Sequence, residues 1–382
     1  MKIIHSWILI NMLSITPYFC QNSRGFYVDK FHTILGNQNK EDSLLFFARQ
    51  LDFNYLTLYN LYESNNTTSL TSEETSQSLA NFIRKAKSQF GINKIGVVAE
   101  NYNFFKNVIH IYNQQHSDSL EKIDIYNLEF EFWVPTSVET GGVLCEYYLV
   151  PNGYSCDSNG AFTYYLQALM QIDSLANSTN CLSETYLGNF DDAQGMQIIE
   201  SGIDRILKSF YIPSATYSPF YEYNFFLSFF QNLISNEYQV ELILLYSGEN
   251  EFMNEWLDSH LFSKPYEDFV TSNINQNEFP ENINLGGYHW FDYSDIRSKN
   301  TQINSPIIEI FPNPSTEKIN FIIEDYKNTT VTLSDELGQI VYQFIPSSIL
   351  NTLEISNFNS GVYFVNCFSN NIIVKKKLII NQ

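Results

Sequence analysis

The run Asp124-Ile125-Tyr126-Asn127-Leu128-Glu129-Phe130-Glu131-Phe132 alternates polar and apolar residues along most of its length. On a β-strand successive side chains point to opposite faces, so Asn127, Glu129 and Glu131 share one face and Tyr126, Leu128, Phe130 and Phe132 the other. Two carboxyls confined together raise one another's pKa, which keeps one protonated near neutral pH as a general acid. Such a pair cleaves the acetal linkage between sugars. A second pairing is open. Retaining enzymes of this chemistry set their two carboxyls ~5–5.5 Å apart, and Glu249 or Glu251 could supply a nucleophile opposite Glu131. Trp133, Trp256 and Trp290 offer flat faces for a sugar ring, although a tryptophan serves core packing as readily. The plainer reading of the same carboxylates is an acidic rim bonded to Tyr and Lys.

The elements that must position these residues alternate along the chain. Strand-like runs are expected at Gly25–Val28, Tyr55–Leu61, Lys94–Ala99, Ile123–Phe132, Cys181–Leu187, Arg205–Phe210, Glu241–Tyr246 and Gly287–Trp290. Helical patterns fit between them at Glu41–Leu51, Glu73–Gln89, Phe104–Gln114, Ala161–Leu175, Asp192–Gly202, Tyr221–Ser235 and Phe252–Asn273. Eight strands with intervening helices over residues 23–298 predict an α/β fold, a (β/α)8 TIM-like barrel, in which chemistry sits at the C-terminal ends of the strands. An open doubly wound sheet is the alternative, but no Gly-rich phosphate loop follows the first strand.

Composition narrows the partners. The 382 residues hold 21 Lys+Arg against 42 Asp+Glu, a net charge of −21, which excludes nucleic-acid binding by bulk electrostatics. Residues 307–382 contain five lysines and seven acidic residues, so the acidity belongs to the larger part. Residues 1–20 carry Lys2 and then an apolar stretch too short and interrupted for a membrane span, which suits a secretory signal peptide. Cleavage is expected near Cys20-Gln21; a lipid anchor on Cys20 is the rival reading, against which the bulky Phe19 weighs. No later stretch is long enough to span a bilayer. Cys145 and Cys156 flank a loop-like segment containing Pro151-Asn152-Gly153, where a local disulfide could form in an oxidising compartment. No metal or cofactor is expected: there is no C-x-x-C pair, H-E-x-x-H, P-loop or G-x-S-x-G elbow, and the six His are scattered. The Asn65-Asn66-Thr67-Thr68 tract reads as a solvated loop before a helix.

After a polar linker at 299–306, residues 307–382 change character. Short strands at Ile319–Glu324, Thr330–Ser334, Ile340–Phe344, Thr352–Ile355, Gly361–Cys367 and Lys375–Ile380, separated by turns, predict a small C-terminal antiparallel β-sandwich. Phe311-Pro312-Asn313-Pro314-Ser315, Asp335-Glu336-Leu337-Gly338-Gln339, Ser360-Gly361-Val362-Tyr363-Phe364-Val365 and Lys376-Lys377-Leu378-Ile379-Ile380 occur in order. This ordered set resembles the type A C-terminal sorting domain of the type IX secretion system of Bacteroidetes. The resemblance implies passage through the periplasm to the cell surface or the medium, with the secretion machinery as a partner.

The spacing Asp124, Asn127, Glu129, Glu131 resembles the D-x-x-D-x-D-x-E signature of the chitinase and endo-N-acetylglucosaminidase family. That resemblance implies a barrel acting on N-acetylglucosamine-containing glycans with help from the substrate's acetamido group. Glu131 then falls on the general acid, Glu129 replaces the aspartate that steadies the acetamido group, and Asn127 replaces a further aspartate. Gly286-Gly287-Tyr288-His289-Trp290-Phe291-Asp292 is similar to the family's last strand, which makes Trp290 the sugar floor with Asp292 beside it; Trp133 is a substrate-binding candidate by residue type alone. Tyr211, after the sixth strand, is implied near the acetamido group. A non-catalytic barrel that binds glycan or protein is the competing expectation.

Overall fold

The computed structural model describes residues 22–219, 221, 229, 231, 240–276, 284–299, 308–323, 326–369 and 372–382. Eight parallel strands close into a barrel in chain order: β1 (Ser23–Val28), β2 (Tyr55–Leu58), β3 (Lys94–Ala99), β4 (Ile125–Leu128), β5 (Leu182–Leu187), β6 (Arg205–Ser209), β7 (Glu241–Ser247) and β8 (Leu285–Phe291). The seam is sealed by β1 on β8, with Phe26 opposite Trp290. The predicted (β/α)8 barrel is therefore the observed architecture.

Both faces of the strands are covered, so even their polar residues, Asn127, Ser183, Glu184, Thr185 and Lys208 among them, are buried. Outward residues such as Phe26, Val28, Leu56, Leu58, Val97 and Leu128 pack under the helices Gln38–Gln50, Glu73–Phe90 and Ser158–Thr179 in one large core. Inward residues Tyr27, Val98, Tyr186, Leu207, Ile243 and Leu245 form a separate cluster inside the barrel. Below it lies a buried polar layer. Glu184 accepts from the Tyr55 hydroxyl at 2.7 Å and from Asn127 Nδ2 at 2.6 Å, and it faces Arg205 at 3.2 Å. Large side chains meet there because β1 and β3 carry glycine at that level. A Cβ on Gly25 would stand 2.3 Å from His289 Nε2, and one on Gly96 would stand 2.3 Å from the Tyr55 hydroxyl.

Several helices depart from expectation. Residues 61–67 form a short helix, so Asn65–Thr67 closes one helix where a loop was expected, ahead of the next helix at Glu73. The stretch expected to be helical from Phe252 to Asn273 is divided: Trp256–Asp258 is a single tight turn, and the helix proper is Lys264–Gln276. Of the expected helix Tyr221–Ser235 only residues 221, 229 and 231 lie within the described set, and the expected signal peptide and most of the expected linker lie outside it. Cys145 and Cys156 are joined by a disulfide, with Cα atoms 5.2 Å apart. Among the described residues no helix is long and apolar enough to cross a membrane.

The C-terminal module is two antiparallel sheets. One is ordered β13 (Leu350–Glu354), β10 (Lys318–Ile323), β9 (Ile308–Phe311); the other is β12 (Ile340–Phe344), β11 (Thr329–Ser334), β14 (Gly361–Ser369), β15 (Ile372–Ile380). Alternate residues point inward and close a core that includes Ile319, Phe321, Val331, Leu333, Val365 and Leu378. The turn between β11 and β12 passes through Gly338 at φ +83°, a conformation that other residues adopt only under strain. Strand β9 was not foreseen. It carries Glu309 and Phe311 against the barrel, where Phe311 meets Phe90 at 6.1 Å between ring centroids.

Candidate active site at the barrel mouth

Strand β4 leaves the ladder after Leu128, earlier than the alternation of the sequence suggests. The Glu129 amide still donates to Ala99 O at 3.1 Å, and beyond it the chain tightens, with Phe132 N bonded to Phe130 O and Val134 N to Glu131 O. Phe130 and Phe132 stay buried against Tyr164 and Tyr165, at 5.0 and 4.8 Å, so the intervening glutamates remain on the barrel side. Glu129 and Glu131 line one cavity of about 190 Å³ with Tyr27, Tyr186, Tyr211, Leu245, Glu249 and Phe291. These residues come from the C-terminal ends of β1, β4, β5, β6, β7 and β8 or from just beyond them, the position where barrels carry chemistry.

Burial, then the charges of Glu131 and Glu100, pushes the Glu129 carboxyl up to about 8. It is therefore a neutral acid at pH 7, able to donate a hydrogen bond. The Tyr59 hydroxyl approaches it at 3.4 Å. Glu131 is raised as well, by burial first and by Glu100 second. The Tyr27, Tyr186 and Tyr211 phenols are held above their ordinary range, mainly by burial, and the neighbouring glutamates add to it. They act as neutral donors. Glu249 accepts from the Ser247 hydroxyl at 2.9 Å.

The structure brings together Glu129, Glu131, Tyr211 and Glu249 from the sequence-derived candidates, and it sets the others elsewhere. Asp124 lies at the opposite end of β4, where its carboxylate accepts from the Ile95 amide at 2.8 Å and pairs with Lys87 at 2.8 Å. Asn127 lies one layer below the cavity, bonded to Glu184. Trp290 is fully buried on the outer face of β8 and donates from Nε1 to Phe262 O at 3.2 Å, so it packs the helical layer and does not floor the site. The next residue, Phe291, faces inward and takes that place. Its peptide bond to Asp292 is cis. Asp292, pushed up to about 6 by burial and by Asp29, caps the helix Tyr293–Ile296 through the Asp295 amide and does not line the cavity. Trp133 is half-buried, edge-on to Tyr186 at 5.5 Å, and is not among the residues lining the cavity. Glu251 is exposed and outside the cavity.

Sequence reasoning missed Tyr27, Tyr186, Phe291 and Glu100. The first three were legible as inward positions by alternation along β1, β5 and β8. Glu100 follows the end of β3, accepts the Tyr148 hydroxyl, and lines an adjoining cavity of about 300 Å³ with Tyr59 and Val98. Among the described residues no group of three or more His, Cys, Asp and Glu is arranged to hold a metal ion.

No curated protein matches the chain in sequence. Several solved structures are similar to parts of it. One is PorZ, a bacterial surface component of the type-IX secretion system of Porphyromonas gingivalis, at 16% identity over 20% of this chain and 11% of that one, with a TM-score of 0.17. A GH18 chitinase from Pseudoalteromonas aurantia is 12% identical over 73% of this chain and 97% of its own, TM-score 0.39. A tamarind chitinase-like lectin is 13% identical over 74% and 100%, TM-score 0.38. At TM-scores below 0.5 these likenesses carry no argument about chemistry. The family match is of another kind: residues 309–381 match the secretion system C-terminal sorting domain, which marks this chain for export to the cell surface or beyond.

Proposed function

We propose that the exported barrel acts on N-acetylglucosamine-containing glycans, binding one sugar in the mouth and hydrolysing its linkage by acid catalysis. The observation that carries this reading is the convergence of Glu129, Glu131 and Glu249 with Tyr27, Tyr186, Tyr211 and Phe291 around one cavity of about 190 Å³. In this scheme Glu131 donates its proton to the glycosidic oxygen as the bond to the anomeric carbon breaks. The substrate's acetamido oxygen meets that carbon first. Water then displaces it, returning its proton to the Glu131 carboxylate. Glu129 keeps its own proton at neutral pH and steadies the acetamido group by donation, with Tyr211 as a second donor. The aromatic rings give the sugar's C–H faces a flat wall. Residues 309–381 engage the type IX machinery during export.

A glycan-binding barrel without turnover is favoured by one feature: Asn127 stands where the chitinase signature has an aspartate, and its amide is committed to Glu184. The deciding experiment follows reducing-sugar release from a panel of N-acetylglucosamine oligomers and glycans, using the full chain and its Glu131→Gln variant. Turnover abolished by the substitution supports the hydrolase. Absence of turnover in both proteins, with glycan binding intact, leaves the binder.

A further inference from the structure

A second cleft lies on the flank of the barrel, outside the mouth. Its volume is about 250 Å³, and none of the eight side chains lining it is charged, in a chain of net charge −21. Tyr102, Tyr154 and Tyr164 supply phenol rings, and Asn152, Gln167 and Gln171 supply carboxamides. We propose that this cleft is a second saccharide-binding site, specific for uncharged glycans and separate from the mouth.

The chemistry of the lining selects that ligand. A sugar hydroxyl is donor and acceptor at once, and a primary carboxamide offers both functions side by side, whereas a carboxylate only accepts and an ammonium only donates. Half-exposed tyrosine rings present the flat, partly apolar surface that a pyranose face covers. With no charged group in the wall, a neutral ligand enters without leaving a buried charge unpaired.

The wall is also built in advance. Residues 164, 167, 168 and 171 fall on one face of the helix Ser158–Thr179, with buried Ala168 leaving room between the longer side chains. The facing segment, which carries Asn152 and Tyr154, is tied down by the Cys145–Cys156 disulfide. Asn152 Nδ2 donates to Tyr148 O at 2.7 Å, and the Tyr154 hydroxyl donates to the Gln167 carboxamide. Tyr164 is held edge-on to Tyr154 at 5.4 Å and against Phe130 at 5.0 Å. A site whose side chains are already fixed gives up little freedom when it binds.

None of its lining residues is shared with the mouth cavity, so the proposal does not depend on Glu131 chemistry. Its role would be to hold a polymer near the mouth and raise the local concentration of linkages there. The test uses the full chain with five neutral probes, the tetramers of N-acetylglucosamine, glucose (β-1,4 and β-1,3), mannose and xylose. Calorimetry gives affinity, and hydrogen exchange maps protection. At least one probe should protect residues 150–171. Gln171→Ala, at an exposed helix position, should weaken that probe about fivefold, the cost of one neutral hydrogen bond. Tyr154→Ala should weaken it further, and Glu131→Gln should leave it unchanged. Protection of residues 150–171 by none of the probes overturns the proposal. So does binding that responds to Glu131→Gln and not to Gln171→Ala. Loss of turnover in Glu131→Gln is read separately and bears only on the mouth.

Discussion

Arg49 and Glu309 join the barrel to the sorting module: Arg49 Nε lies 2.5 Å from a Glu309 carboxylate oxygen. The same guanidinium sits 3.7 Å over the Phe311 ring and donates from Nη1 to Gln89 O at 2.7 Å. Three kinds of contact thus converge on one half-buried side chain. An ion pair of this exposure contributes ~0.5 kcal/mol and a cation–π contact ~1 kcal/mol. Arg49→Ala should destabilise the full chain by about 1–2 kcal/mol in urea unfolding. Arg49→Lys should recover only part of it, since lysine lacks the planar group that stacks on Phe311. Equal stability of all three proteins would show that the contact carries no weight in solution.

Glu129 makes stability depend on pH in a defined direction. Its folded pKa, about 8, exceeds the ordinary value of 4.5, so between these limits the folded protein keeps a proton that the unfolded chain has lost. Stability then falls as pH rises, because the unfolded state binds fewer protons. The contribution is whole below about pH 4.5 and gone above about pH 8. It is on the order of 3 kcal/mol once partial exposure and coupling to Glu131 are discounted. Glu129→Gln stays neutral throughout, so its stability relative to the parent should climb from pH 5 to pH 9. Denaturant midpoints at those two pH values check this, and a constant difference would rule out the raised pKa.

The barrel was legible because eight short strand-like runs alternate with helical patterns; Lys94–Ala99 is found with the bounds the sequence suggests. Bounds slipped where alternation outlasts the ladder, as at Glu129–Phe132, whose phenylalanines are buried by helices after strand pairing has stopped. The site was legible through the parity of β4, which set Glu129 and Glu131 inward. Trp290 was misplaced for the same reason in reverse: paired with Phe26, it must share the outer face, while Phe291 turns in. Partners of Glu129 just past the ends of other strands, Tyr59 and Glu100 above all, were out of reach because they depend on barrel closure rather than on local pattern.

Arg205 is the counter-charge of the buried layer. It faces Glu184 at 3.2 Å and Glu241 at 2.6 Å, and Glu184 is fully buried. Burial raises the Glu184 carboxyl, and Arg205 works against that rise. Arg205→Ala would leave the carboxyl with the neutral donors Tyr55 and Asn127, at a cost of about 3–5 kcal/mol. Adding Glu184→Gln to that variant should restore much of the loss, because the charge it strands is then gone. Thermal unfolding of the single and double variants measures the difference; a double variant no more stable than the single one would refute this account.

The mouth should discriminate against anionic glycans. Glu129, Glu131 and Glu249 line the cavity with no Lys, Arg or His among its lining residues, and Glu100 stands in the adjoining one. Two like charges ~5 Å apart cost about 3 kcal/mol at an effective dielectric constant of 20, which corresponds to roughly 100-fold in affinity. A 6-O-sulfated N-acetylglucosamine oligomer should therefore bind about 100-fold more weakly than the unsulfated one. The gap should narrow in high salt, because screening shortens the reach of exposed carboxylates. It should also widen above pH 8, where Glu129 gives up its proton and adds a charge. Paired titrations of the two oligomers at pH 6 and pH 9, each in low and in high salt, test both statements. Equal affinity at both pH values would place the glycan away from these carboxylates and refute the mouth as its binding site.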